Sequence, residues 1–104
     1  MTEFYRKQND VGDTIVLNLL GVDSLITAVA VVGHVSFNGG TVTNLAGAVT
    51  DAVEREVTLQ LTPWLATAVV GRHDLDTQVT FGDGSSITWP GKGRDAIIIG
   101  AEVG

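Results

Sequence analysis

The sequence predicts an all-β protein, an antiparallel β-sandwich of seven to eight strands, on three observations. Short runs rich in Val, Ile, Leu and Thr alternate apolar and polar residues with period 2, the pattern of a strand with one buried and one solvated face. Turn-forming clusters interrupt these runs every 8–12 residues or so, the spacing of small sandwiches and barrels, and 13 glycines are available to make the turns. No stretch of useful length carries the 3.6-residue apolar period of an amphipathic helix.

Taken in order, Asp10-Val11-Gly12-Asp13 is a turn cluster, and residues 14–20 form a strand with Ile15, Leu17 and Leu19 on one face. Gly21-Val22-Asp23-Ser24 turns the chain into a long strand, 26–37. Its one parity holds Val29, Val31, Val35 and Phe37; the other holds Ala28, Ala30, Val32, His34 and Ser36, so the first half is apolar on both faces. Asn38-Gly39-Gly40 ends it, because Gly reaches positive φ without steric cost and Asn tolerates it. Residues 41–45 are expected as a short strand and 47–52 as a loop or short edge strand. Residues 56–62 place Val57, Leu59 and Leu61 on one face, and the Pro63-Trp64 connection leads to 65–70, Ala-rich enough for one helical turn. The strand 74–81 aligns Leu75, Thr77, Val79 and Phe81 and closes in the turn Gly82-Asp83-Gly84. Strand 86–90, a Gly91-Lys92-Gly93 turn and a final strand 96–103 complete the chain.

A chain of 104 residues with no internal repeat and no linker is expected to make one domain spanning 1–104. It has no cysteine, so neither a disulfide framework nor a Cys-ligated zinc site is expected, and a reducing cytosol suits its synthesis. The charged start, Glu3 to Lys7, does not resemble a signal peptide, and no apolar run approaches the ~20 residues of a membrane span. A net charge of -6, with no basic cluster beyond Arg6-Lys7, argues against nucleic acid as a partner.

Groups able to do chemistry are few. His34 and His73 are the only histidines, and with Asp74, Asp76 and Asp83 they could form a metal or acid–base cluster. Strand parity argues otherwise: His73 goes with Leu75 and Val79 at the core edge, while Asp74 and Asp76 go with Arg72, Gln78 and Thr80 on the solvated face. Asp83 belongs first to a hairpin turn, and the alternating oxygen ligands of a calcium loop are missing. Ser24, Ser36, Ser85 and Ser86 lack a Gly-x-Ser-x-Gly elbow or a suggestively placed histidine and acid. Gly82-Asp83-Gly84 and Gly91-Lys92-Gly93 precede no helix that could hold a phosphate. No catalytic residue, metal or cofactor is therefore expected, and the chain is not read as an enzyme. Tyr5, Trp64 and Trp89 leave two readings open: a sugar-stacking platform, or Trp64 as a plug over the core and Trp89, before Pro90, as a half-exposed ring at a strand end.

The succession Tyr5-Arg6-Lys7, Gly12-Asp13, Ser24-Leu25-Ile26-Thr27-Ala28, the strand ending at Phe37, Gly47-Ala48-Val49-Thr50-Asp51, Val57 to Thr62, Gly71 before Asp74, Val79-Thr80-Phe81-Gly82-Asp83-Gly84, Thr88-Trp89-Pro90 and Ile97-Ile98-Ile99 resembles the immunoglobulin-like N-terminal domain of phage baseplate upper proteins and related phage tail components. The resemblance covers nearly the whole chain. It implies an immunoglobulin-like sandwich in a structural virion protein of a tailed bacteriophage, located in the tail or baseplate. Such a protein assembles with other phage structural proteins as a homo-oligomer or ring. The alternative functions are a carbohydrate- or receptor-binding module and a capsid decoration protein.

In an immunoglobulin-like order the two strands that are apolar on both faces share a sheet. With Val29, Val31, Val35 and Phe37 in the core, Ala30 and Val32 face outward; with Ile97 and Ile99 inside, so does Ile98. Ala30, Val32, Ile98 and Trp89 are the candidate partner-binding residues. Either they form an apolar interface, or residues 41–52 fold back and cover the patch.

Overall fold

A computed structural model describes residues 2–8, 13–19, 24–90 and 93–101. Expectations for 10–12, 20–23, 91–92 and 102–103 lie outside the described residues. The chain forms eight strands: β1 (Glu3–Lys7), β2 (Thr14–Asn18), β3 (Ala28–Phe37), β4 (Thr43–Asp51), β5 (Glu56–Gln60), β6 (Gly71–Phe81), β7 (Ser86–Trp89) and β8 (Asp95–Gly100), with a 3₁₀ turn at Trp64–Ala66 before β6. The pairing path is β1-β8-β6-β3-β4-β5-β2, with β7 also on β6. The β2–β5 pair and the β3–β6–β8 group supply the two layers that enclose the core. Here β4 pairs with both β3 and β5, which joins the layers into one curled sheet.

Alternation decides which side chains the curl encloses. Ile15, Leu17, Val31, Val35, Leu45, Val57, Leu59, Leu75, Val79, Ile97 and Ile99 are buried in one cluster, together with Leu61 and Leu65 from the connection into β6. At the sheet's bend Val31, Gly47 and Leu59 lie in one cross-strand row. A Cβ placed on Gly47 would sit 2.8 Å from both Leu59 and Val31 side-chain carbons and 3.1 Å from the Val31 carbonyl oxygen. Glycine inside a strand commonly marks such a tight corner.

Three expectations are corrected. Residues 43–51 are one continuous strand instead of a short strand followed by a loop or short edge strand, since Gly47 answers a close approach of neighbours and not a turn. Val29 is 67% exposed, because a register shift between Ala28 and Ala30 turns it out of the core row. Trp64 packs on the core as a plug would, half-buried beside the fully buried Leu65, its ring perpendicular to that of His73 with centroids 5.1 Å apart. Finally, β1 was not anticipated as a strand: it pairs parallel to β8, and of its residues only Phe4 packs on the core, too little for a period-2 signal.

Strands β7 and β8 are successive segments along the same edge of β6, with Trp89 opposite Thr77 and Asp95 opposite Leu75. The strand breaks after Trp89 because Pro90 has no N–H for the ladder. The other break in the sheet is the seam between β1 and β2, the two ends of the pairing path. The Leu61 N–H donates to Asp13 at 3.0 Å and the Leu19 N–H to Arg55 at 2.9 Å. In an antiparallel ladder this phasing turns the backbone groups of Thr14, Val16 and Asn18 away from β5, toward the seam. Arg6 latches the upper end: Nη1 donates to the Tyr5 carbonyl at 2.9 Å, Nη2 to the Thr14 carbonyl at 3.0 Å, and Nε lies 2.7 Å from the Asp13 carboxylate.

Two stability measurements check this packing. Gly47→Ala is expected to lower unfolding free energy by about 1–3 kcal/mol, the range for overpacking, as read by denaturant titration. The Thr77 hydroxyl is buried among the described residues without a hydrogen-bond partner, so Thr77→Val, which keeps the shape and removes the orphan group, is expected to raise stability by about 1 kcal/mol.

Candidate functional site

On the outer face of β3 and β4, side chains of even-numbered residues point away from the core. Val32 is paired with Ala46, and Ala30 and Ala48 follow one step along the same two strands. Ala30, Ala46 and Ala48 are exposed and Val32 is half-buried. Because β4 lies edge to edge with β3, residues 43–51 do not cover Ala30 and Val32; they widen the apolar surface, which corrects that expectation. Val29, turned outward by the bulge, extends it at one end. A shallow hollow lined by Val29, Ala30, Gly47 and Ala48 crosses the two strands.

The flanking strands give this surface a polar rim. Thr80 and Gln78 of β6 stand opposite Ala30 and Val32, and Thr58 of β5 stands opposite Ala48, its hydroxyl 3.2 Å from that of Thr50. Small apolar residues thus lie at the centre of this surface, with neutral polar residues around them.

The other two candidates lie apart. Ile98 is on the outer face of β8 between Tyr5 and Arg72; Arg72 and Gln78, the β6 partners of Ile98 and Val32, are six residues apart, which is about 20 Å of strand. Asp74 and Asp76 occupy the intervening face. Trp89 points the opposite way, against the core and into the seam between β1 and β2. Tyr5, Trp64 and Trp89 thus share no platform: Tyr5 is on the outer face of β1, Trp64 covers His73, and Trp89 lines the seam.

The groups considered for catalysis or metal binding are dispersed as strand parity predicts. His73 is buried, with Nε2 2.8 Å from the Val69 carbonyl oxygen and its ring against Phe37 and Trp64. His34 is on the outer face opposite Asp76, whose two carboxylate oxygens are taken by Arg94 Nη1 at 2.7 and 2.6 Å. Asp83 accepts from the Ser85 hydroxyl at 2.6 Å and the Ser85 N–H at 2.9 Å; these bonds, the hydroxyl first, hold its carboxyl below the usual range. No group of three or more potential metal ligands occurs among the described residues, and no helix there is long and apolar enough to cross a membrane. The residue that sequence reasoning passed over is Asp95, 2% exposed. Its signal was available: it shares the parity of the core residues Ile97 and Ile99.

The chain matches no protein-family model, and no curated protein or solved structure is significantly similar to it.

The charges on the outer face beside Ile98 make a checkable network. Arg72 pairs with Glu3 across β8, and Tyr5 donates to the same carboxylate at 3.1 Å. The Arg72 guanidinium, then the Tyr5 hydroxyl, hold Glu3 below its ordinary value of 4.5. A lowered carboxyl pKa stabilises the fold above the ordinary value, and that contribution fades as pH falls through the lowered one. Carboxyl-carbon NMR titration is expected to place Glu3 below 4.5 and to find it moved back up in Arg72→Gln.

Proposed function

We propose that the chain is a structural assembly module of a tailed-phage virion, associated with the tail or baseplate and acting through protein–protein contacts, its own copies and other structural proteins of the particle among them. The observation that carries the assembly reading is the outer face of β3 and β4, where Ala30, Val32, Ala46 and Ala48 form an apolar centre inside a polar rim. The virion assignment is supported by the sequence resemblance to immunoglobulin-like tail domains. A flat, small-residue sheet face suits packing against a similar face of another subunit, since backbones approach closely and few rotamers must be frozen. The absence of a shared aromatic platform gives a glycan-binding reading less support.

The test is the association state of the purified chain by sedimentation, with Ala30→Glu and Ala48→Glu as variants. Both sites are exposed, so the carboxylate is solvated in the monomer and desolvated only in a contact. Each variant is expected to weaken association at least tenfold, about 1.4 kcal/mol, while its melting remains cooperative. Association unaltered in both variants, or a wild-type chain that stays monomeric with no co-assembling partner, would count against the proposal.

A further inference from the structure

Below the Arg6 latch the seam between β1 and β2 opens into a cavity of about 390 Å³. Phe4, Val16, Leu17, Trp89 and Pro90 give it apolar walls, and Asp95 lines it as well. Asp95 lies at the start of β8 with the inward parity of Ile97 and Ile99 and is 2% exposed. One carboxylate oxygen accepts from the Thr2 N–H at 2.9 Å; the other takes no hydrogen bond from a described residue. The second oxygen faces the cavity, whose walls among the described residues are mostly aromatic and aliphatic, so a cation entering there meets a carboxylate with little competing polar surface.

The cavity opens along a strand edge. Val16 and Asn18 turn their N–H and C=O groups toward the seam, and Arg6 satisfies only the carbonyl of Thr14 at the far end. Val16 is 52% exposed, so the edge is accessible. An unpaired edge is a template for an added strand.

We propose that this seam binds an extended segment of a partner protein, which pairs with the edge of β2 at Val16 and Asn18 and sends a lysine side chain into the cavity. The aliphatic stem of the lysine lies along Phe4, Leu17 and Pro90, its ammonium pairs with the free oxygen of Asp95, and the Trp89 ring adds a cation–π contact. Charge complementarity selects the occupant: an acidic group would meet Asp95, and a purely aliphatic one would leave its second oxygen buried and unpaired. The proposal rests on the assembly reading in one respect, that the lysine comes from another protein, and it uses a surface separate from the β3–β4 face.

The test follows Trp89 emission in the full chain carrying Trp64→Phe, so that Trp89 is the only tryptophan. The probes are the blocked peptide Thr-Val-Lys-Val-Thr, the same peptide with norleucine for lysine, and n-hexylammonium. The lysine peptide is expected to give a saturable change, with the norleucine peptide and hexylammonium each binding at least tenfold more weakly. Asp95→Asn is expected to weaken the lysine peptide at least tenfold; because it preserves the Thr2 bond, a cooperative melt shows that the loss is not unfolding. Val16→Pro removes an outward-facing N–H that β5 does not use, and is expected to weaken the peptide by a larger factor than hexylammonium, which makes no backbone bond there. Absence of a saturable change up to millimolar peptide, equal binding of the norleucine peptide, or indifference to Asp95→Asn in a folded chain would overturn the proposal. Hexylammonium binding as tightly as the peptide would assign the cavity to free amines and overturn the added strand. The sedimentation of the Ala30→Glu and Ala48→Glu variants is read independently, so the failure of one proposal is distinguishable from the failure of the other.

Discussion

The structure depends on the seat that Leu59 finds against Gly33 and Gly47. Leu59 side-chain carbons lie 2.8 Å from where a Cβ on either glycine would be, so the Leu59 side chain fills the space that a side chain at either position would need. That packing lets β4 pair with β3 on one edge and β5 on the other, and the resulting bend brings β2 and β5 over β3, β6 and β8. The enclosed core, from Ile15 to Ile99, forms because the sheet closes on itself at this bend. Burial there supplies the driving force, but the glycines decide that it can be reached with strands of these lengths.

Closing a sheet this way leaves a seam where its ends meet, and the polar side chains are distributed accordingly. Arg6 supplies donors to outward carbonyls of both β1 and β2, which holds the two edges together at one end without a strand ladder. Arg72 with Glu3 and Arg94 with Asp76 tie the outer face of β6 to its neighbours, and Asp83 is spent on its own hairpin turn. These exposed pairs contribute little stability singly; their effect is to make the outer face of β6 polar. The apolar β3–β4 face is consequently bounded on that side, and the buried Asp95, which faces away from all of these cations, stands apart from the network.

The β3–β4 face and the seam suit different kinds of contact. A flat patch of Ala30, Val32, Ala46 and Ala48 is matched by another flat surface and gains from exclusion of water. The seam is narrow, with strand-edge donors and acceptors beside a cavity, and is matched by one extended segment. A protein that assembles through both could pack broadly against one neighbour while gripping a single strand of another.

Much of this was legible in the sequence. Period-2 alternation gave the all-β class, the inward sets of β2, β5 and β6, the core-edge position of His73 and the solvated one of Asp74 and Asp76, because alternation is a local property that the pleat imposes whatever the neighbours are. The Asn38-Gly39 turn was legible for the same reason: both residues have positive φ, which their side chains permit. The rest depended on partners distant in the chain. Gly47 read as a break, since only the approach of Val31 and Leu59 reveals why a strand needs it. Val29 read as core, since a bulge is defined by the register of two strands and not by one. Strand β1 was invisible because its place is given by β8, more than ninety residues on. Ala30 and Val32 were named correctly as outward-facing, yet their separation from Ile98 and Trp89 was settled by strand order. A sequence fixes which way each side chain points along its own strand; which outward side chains become neighbours, and where a sheet's ends leave a seam, is decided only when the strands pair.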